Sequence, residues 1–378
     1  MHIRKILLSN FRNFKNLDLN ISDGINIFLG KNAQGKTNIL ESIYFASVLR
    51  YRASKVTDLI TWDNCTALIK IFFDKADVSQ DVGVEISADI KSRRLFVNGD
   101  PVRVKGFIGR LNSVLFSPED LFMFKGAPAE RRKFLDAEIS QASPIYYENL
   151  SLYNKIIAQR NNLLKKIREG FARRDSLDTW NLQLAKYAAQ ITRERLIAVD
   201  TLNDFSKVAC ENISAQNEKF FVTYDFKEKD FDVSRENFYS EDFTKKLCAW
   251  YEKKIFEIST QDIERGVTTW GPHLDDLKFF INGRELKLYG SQGQLRTAAL
   301  SLKLSELEFL KHATGEYPVL LLDDVMSELD AERREQLLIF LKRKEIQTLI
   351  TATEKKYFPA RDFGKIFEVC AGTLKATD

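Results

Sequence analysis

The sequence has 378 residues, 44% hydrophobic and 29% charged, which excludes a disordered or collagen-like chain and leaves room for two to three domains at roughly 150 residues each. No apolar run approaches the ~18–20 residues that span a bilayer, and Asn10 and Arg12 interrupt any signal-peptide core behind the charged N-terminus, so a soluble, cytoplasmic protein is expected. Lys and Arg number 57 against 53 Asp and Glu, a net charge of +4, so any nucleic-acid surface must come from local clustering of charge. Cys65, Cys210, Cys248 and Cys370 lie far apart and only His2, His273 and His312 accompany them. That spacing argues against a zinc site and for reduced thiols in or near the core.

The first stretch reads as strands. Residues 3–8 and 17–21 alternate apolar and polar side chains around Asn10-Phe11-Arg12-Asn13, and residues 25–29 form an apolar run ending at Gly30. A helix starts near Gly35, with Ile39, Leu40, Ile43, Tyr44 and Val48 at helical spacing. Alternation returns at 67–73 and 82–86, and Asn98-Gly99 between 94–97 and 100–102 marks a tight hairpin. From 145 to 168 and again from 180 to 199 apolar residues recur every three or four positions. The break at 169–175 makes these a helical hairpin of about 25 residues per arm, roughly 40 Å at 1.5 Å per residue. Strands are expected at 220–224 and 277–281, with a turn at Asn282-Gly283 and a long helix over 294–310. Val319-Leu320-Leu321-Leu322 is continuously apolar, as in a sheet covered on both faces. The fold class is therefore α/β at both ends of the chain with a helical insertion between.

Gly30-Lys31-Asn32-Ala33-Gln34-Gly35-Lys36-Thr37 fits the phosphate-loop pattern G-x-x-x-x-G-K-[ST], with a strand before it and a helix after. Backbone N–H groups of such a loop surround phosphates, Lys36 reaches the β- and γ-phosphates, and the Thr37 hydroxyl ligates Mg²⁺. Leu320-Leu321-Leu322-Asp323-Asp324 delivers two carboxylates at a strand end. Asp323 is expected on Mg²⁺, and Asp324 is expected to orient and deprotonate the attacking water. Gly290-Ser291-Gln292-Gly293-Gln294 precedes the long helix. Ser291, Gly293 and Gln294 either cap that helix or present a second phosphate-shaped site. One nucleotide does not need two cradles from one chain, so the second reading has Ser291 completing the pocket of another molecule. Ser327-Glu328-Leu329-Asp330 would sit near the same interface.

In this order the elements resemble the ATPase heads of the ABC class, a mixed sheet with flanking helices, and the short helical insertion resembles their SMC-like branch. Several segments narrow the resemblance to the RecF family along nearly the whole chain. They are Asn10-Phe11-Arg12-Asn13-Phe14, Phe116-Ser117-Pro118-Glu119-Asp120-Leu121, Glu130-Arg131-Arg132-Lys133-Phe134-Leu135-Asp136 and Gly271-Pro272-His273-Leu274-Asp275-Asp276-Leu277. The resemblance implies an ATPase lobe from residues 1–112 and 266–378 and a largely helical second lobe from 113–265. It also implies ATP-dependent homodimerisation, DNA binding and slow, DNA-stimulated ATP hydrolysis. The work it implies is recombinational repair, replication and the SOS response with RecR and RecO at gapped DNA, where RecA is loaded. Leu295 stands where a second glutamine is often found, 116–121 lacks the glutamine that ABC ATPases place near Mg²⁺, and 350–353 lacks a switch histidine, with Thr353 a candidate in its place.

Basic groups cluster at Lys165-Lys166-Ile167-Arg168, Arg173-Arg174 and Arg131-Arg132-Lys133, as solvated helix faces or as contacts to DNA phosphates that carry little sequence preference. A structural SMC-like head would want a far longer arm. A transporter ATPase subunit would want membrane partners with the missing glutamine and histidine, and a metabolic kinase leaves Ser291-Gln292-Gly293-Gln294 unexplained.

Overall fold

Alternating apolar residues build the first sheet. The computed structural model describes residues 1–50, 55–89, 92–213, 218–226, 231–358, 363–370 and 372–377. β1 (His2–Phe11) and β2 (Phe14–Asn20) form the expected hairpin, and β3 (Ile25–Leu29) leaves for a second sheet. β4 (Thr66–Lys75), β5 (Val78–Ser87), β6 (Ser92–Val97) and β7 (Asp100–Val102) complete an antiparallel sheet in the order β2-β1-β4-β5-β6-β7. Asn98 and Gly99 take φ of 52° and 85°, as a type I′ turn requires.

The second sheet draws on both ends of the chain. β8 (Ser113–Phe116) is its edge strand. β9 (Phe220–Asp225), β10 (Asp276–Ile281) and β11 (Arg284–Glu285) form a separate small antiparallel sheet. β12 (Val319–Asp323), β13 (Thr348–Ala352), β14 (Lys365–Cys370) and β15 (Thr373–Thr377) then join β3 and β8 in the order β15-β14-β3-β13-β12-β8. Every pairing in this sheet is parallel except β14 with β15. β12 is buried throughout, and its two faces serve different cores. Val319 and Leu321 join the core of the first sheet, whereas Leu320 and Leu322 join that of the helices. This accounts for its unbroken apolar run.

Strand pairing crosses the expected lobe limits. Residues 113–116, expected to open the helical lobe, hydrogen-bond to β12 in the second sheet. β10, expected in the ATPase lobe, pairs with β9 of the insertion. Pairing thus crosses both limits, because it follows distant partners rather than changes of composition.

The hairpin arms are helices Pro144–Arg168 and Asp178–Ile213. The second has 36 residues, about 54 Å at 1.5 Å per residue, rather than the expected 25. Its extra length docks: Asn203 hydrogen-bonds both the N–H and the carbonyl of Val222 in β9, and the same helix packs on helix Gln292–Thr314. The helix Phe243–Arg265 lies against both arms.

Candidate nucleotide site

Parallel pairing brings the C-terminal ends of β3, β13 and β12 to one edge, with Asp323 opposite Thr351 and Thr351 opposite Phe28. This is the edge at which parallel sheets present ligand sites. The phosphate loop, residues 30–37, leaves β3 there and enters helix Lys36–Val48. Gly35 caps that helix at φ 107° and offers no side-chain cap to its first N–H groups. A Cβ on Gly35 would lie 2.5 Å from the Asn13 amide, and one on Gly30 would lie 2.4 Å from the Val369 carbonyl, so both positions exclude larger residues. Asn13, from the first segment that carried the family resemblance, supports the loop. Its amide donates to the Gln34 carbonyl at 3.1 Å and accepts from Asn38 at 2.8 Å. Arg12 beside it makes two 2.8 Å bonds to Glu41 on the loop's helix.

Lys36 folds back over its own loop, with Nζ donating to the carbonyls of Gly30 at 2.6 Å and Lys31 at 2.8 Å. Burial holds its ammonium below the ordinary lysine value against the opposing pull of Asp324 and Asp323. Thr37 Oγ1 donates to Asp323 Oδ1 at 2.8 Å, so the two oxygens expected on Mg²⁺ are already in contact. Mg²⁺ is commonly held by one or two carboxylates with phosphates and waters. The donor set fits that arrangement, and among the described residues there is no larger cluster of acids, His and Cys that would form an all-protein cage.

A residue missed as a site member organises both acids. Thr351 Oγ1 donates to Asp323 Oδ1 at 2.9 Å and accepts the Asp324 N–H at 2.9 Å. In the sequence the segment 350–353 stands out only for its lack of a histidine, with Thr353 the candidate there. Thr351 is the threonine that reaches the acids, because it stands opposite Asp323 in the ladder between β12 and β13. Asp324 adopts φ 53°, in the left-handed region, a cost that non-glycine residues bear mainly at functional sites. Its Oδ1 is buried and has no hydrogen-bond partner among the described residues. Burial raises its pKa; Lys36 opposes this, and Asp323 and Glu328 add to it.

Ser291 does not join this cluster. It caps its own helix: Ser291 Oγ accepts from the Gln294 N–H at 3.2 Å, and Gln294 Oε1 accepts from the Ser291 N–H at 3.1 Å, a capping box. The capping alternative is therefore realised, and the Ser291 O–H remains a donor for another acceptor. Ser291, Gln292 and Gly293 are exposed. The first turns of the same helix reach the segment that follows the acids, since Arg296 pairs with Glu328 at 3.2 Å, four residues beyond Asp324, and Arg333 donates to Thr297 at 2.9 Å.

A family model described as the RecF/RecN/SMC N terminal domain matches residues 2–373. The DNA replication and repair protein RecF of Heliobacterium modesticaldum is 39% identical with 100% of both chains covered, and that of Clostridium botulinum (strain Eklund 17B) is 40% identical with 99% of each covered. The chain belongs to the RecF family. A solved structure of the recombination mediator protein RecF with ATP in the RecFOR pathway superposes with a TM-score of 0.88 at 35% identity, covering 100% of this chain and 98% of the other. An Smc head bound to the C-winged helix domain of ScpA, at 14% identity and a TM-score of 0.56, shares the fold. The RecF family supplies the ATP-binding, ABC-type ATPase head expected from the sequence, and among the described residues no helix is long and apolar enough to cross a membrane.

Two of the segments that marked the RecF family in the sequence, 130–136 and 271–277, meet in space. Arg131 pairs with Asp276 and Arg132 donates to the Asp275 carbonyl. Arg195 binds Asp136 at 2.8 Å and the Pro272 carbonyl at 2.6 Å. The His273 ring meets Tyr153 Oη at 2.8 Å through Nδ1. Arg131 is thus buried and committed, and the 131–133 cluster is not a free basic face, whereas Lys165, Lys166, Arg168, Arg173 and Arg174 are exposed around the hairpin turn. Deeper in helix Gln292–Thr314, Lys303 is buried between Glu306 at 3.1 Å and Asp120 at 3.4 Å. Burial there raises the carboxyl of nearby Glu138 to about 7.

Proposed function

We propose that this chain is an ATP-dependent DNA-binding protein of replication, recombinational repair and the SOS response. Its ATP-bound homodimer clamps duplex or gapped DNA and works with RecR and RecO in loading RecA, and slow, DNA-stimulated hydrolysis releases it in the cytoplasm. The observation that carries the reading is the split site. Lys36, Thr37, Asp323, Thr351 and Asp324 gather at one sheet edge, while Ser291, with a hydroxyl proton to give, stands exposed apart from them.

In this reading the loop N–H groups and Lys36 hold the triphosphate, with Thr37 and Asp323 holding Mg²⁺, which offsets phosphate charge when bound. Asp324 Oδ1 accepts a proton from the attacking water as the water oxygen bonds the γ-phosphorus and the bond to the β-phosphate oxygen breaks, giving ADP and phosphate. Ser291 of the second copy donates to the γ-phosphate, so hydrolysis removes the group that joins the copies. The exposed basic residues of the hairpin, doubled in a dimer, offer contacts to DNA phosphates.

Sedimentation with ATP and Mg²⁺ tests the arrangement. Asp324→Asn is expected to dimerise and persist, Lys36→Ala to lose ATP binding, and Ser291→Arg to bind ATP as a monomer. ATP-driven dimers of Ser291→Arg would contradict the trans role of the serine. Asp324→Asn dimers that bind DNA no better than the nucleotide-free monomer in low salt would contradict the clamp.

A further inference from the structure

The open end of the first sheet carries a groove. β7 pairs only with Leu95, Phe96 and Val97 of β6, so Ser92, Arg93 and Arg94 run on past it. There a cavity of about 1050 Å³ is lined by residues of both strands together with Val56. Its apolar lining includes Val56, Phe96, Pro101 and Val102, which are half-buried or exposed. Arg94 and Arg103, both exposed, line the same cavity. Arg93 lines it too, with its guanidinium held on the Leu49 carbonyl at 3.0 Å. No carboxylate is among the described residues that line it. Glu85 lies opposite Arg94 in the ladder, yet neither Arg94 nor Arg103 has an ion pair among the described residues. A merely solvated face intersperses charges of both signs, whereas here three guanidiniums border apolar surface that gains from being covered.

We infer that this groove receives an extended, acidic and apolar segment of another protein, with its carboxylates on Arg94 and Arg103 and its apolar side chains on Phe96 and Val102. Guanidinium forks match carboxylates as well as phosphates, so the apolar lining makes the choice. A nucleic-acid backbone offers phosphates and sugars and would leave Val56, Phe96 and Val102 facing charge. An extended polypeptide can alternate charged and apolar side chains along its length. Pro101 has no N–H to give at the sheet edge, so recognition runs through side chains rather than through an added strand. The internal segments of this chain outside the described residues, 51–54, 90–91, 214–217, 227–230 and 359–362, carry no net negative charge, which makes the occupant a different protein.

The test uses four fluorescein-labelled twelve-residue peptides that alternate aspartate with valine, leucine, phenylalanine or serine. Each is titrated into the nucleotide-free chain and followed by anisotropy, beside a single-stranded oligonucleotide of twelve nucleotides. At least one acidic and apolar peptide is expected to bind saturably and at least tenfold more tightly than the aspartate–serine peptide. Arg94→Glu with Arg103→Glu is expected to weaken that binding at least tenfold. Lys245→Glu with Lys253→Glu, the same change of charge at exposed positions of helix Phe243–Arg265, is expected to shift it less than twofold. Failure of all three apolar peptides, equal binding of the serine peptide, or equal losses in the two double variants overturns the inference. An oligonucleotide that displaces the peptide and itself needs Arg94 and Arg103 gives the groove to nucleic acid and also overturns it. A benzophenone placed in the peptide supplies a readout that needs no variant: adducts are expected within residues 92–104, and adducts confined elsewhere overturn the assignment. Nucleotide and Ser291 enter none of these measurements, so the groove stands or falls apart from the dimer.

Discussion

Arg131 grips Asp276 through two parallel 2.7 Å bonds, Nε to Oδ1 and Nη2 to Oδ2, across 145 residues of sequence. The same guanidinium donates to the carbonyls of Met123 and Gly126, fastening helix Asp120–Lys125 to the start of β10. Arg131→Leu strands Asp276 and two carbonyls, and is expected to cost about 3–5 kcal/mol, the range for breaking a buried pair. Arg131→Lys recovers only part, because an ammonium cannot make the paired bonds. Urea unfolding midpoints of the two variants check both values.

Thr351 joins both acids, so Thr351→Val leaves the Asp324 N–H without its partner and removes a donor from Asp323. Outer-shell losses of this kind reduce activity about 10–100-fold. Phosphate release within an ATP-bound dimer is expected to slow by that factor with nucleotide affinity little changed, and Thr351→Ser is expected to restore it. Equal losses in affinity and rate would reduce Thr351 to a fold-supporting role.

His273 is held by burial at about 4, well below the ordinary imidazole value of 6.5, with Nε2 facing the Thr268 carbonyl at 3.4 Å. The folded chain therefore refuses a proton that the unfolded chain takes up below about pH 6.5. This contribution to stability is complete above pH 6.5 and drains away as the pH falls toward 4. Its ring proton resonances are expected to titrate near pH 4. His273→Asn is expected to flatten the stability profile in that window while lowering stability at pH 7 by about 1–3 kcal/mol, the cost of a disturbed buried hydrogen bond.

Glu138 runs the opposite way. With its carboxyl raised from 4.5 to about 7, the folded chain keeps a proton that the unfolded chain releases. Its favourable contribution is full below about pH 4.5 and fades as the pH rises through 7. Glu138→Gln is expected to change little at pH 4.5 and to stabilise at pH 8 by roughly 1–3 kcal/mol, the scale of an unsatisfied buried polar group. Thermal unfolding of both chains at the two pH values decides it.

Much of the nucleotide site was legible because its logic is local. The glycines at 30 and 35, Lys36 and Thr37 are set by one turn, and Asp323 follows from one apolar strand. Ser291 was legible as a helix start, but its sequence could not choose between a cap and a phosphate donor, and in the monomer the cap is made. Arg131 was illegible for the opposite reason. Its charge looked like part of a basic face, and its acid lies in a segment that only folding brings near. Thr351 carries no signal of its own, since a threonine within a strand acquires its meaning from the carboxylate across the ladder. The long arm was underestimated because docking against β9 extends it.

β3 lies between β13 and β14, so the strand that launches the phosphate loop must wait for neighbours that the ribosome makes long after it. A growing chain therefore has no finished nucleotide pocket, and neither does one cut short before residue 348. A fragment of that kind also lacks Thr351, and with it the hydroxyl that orders the two acids.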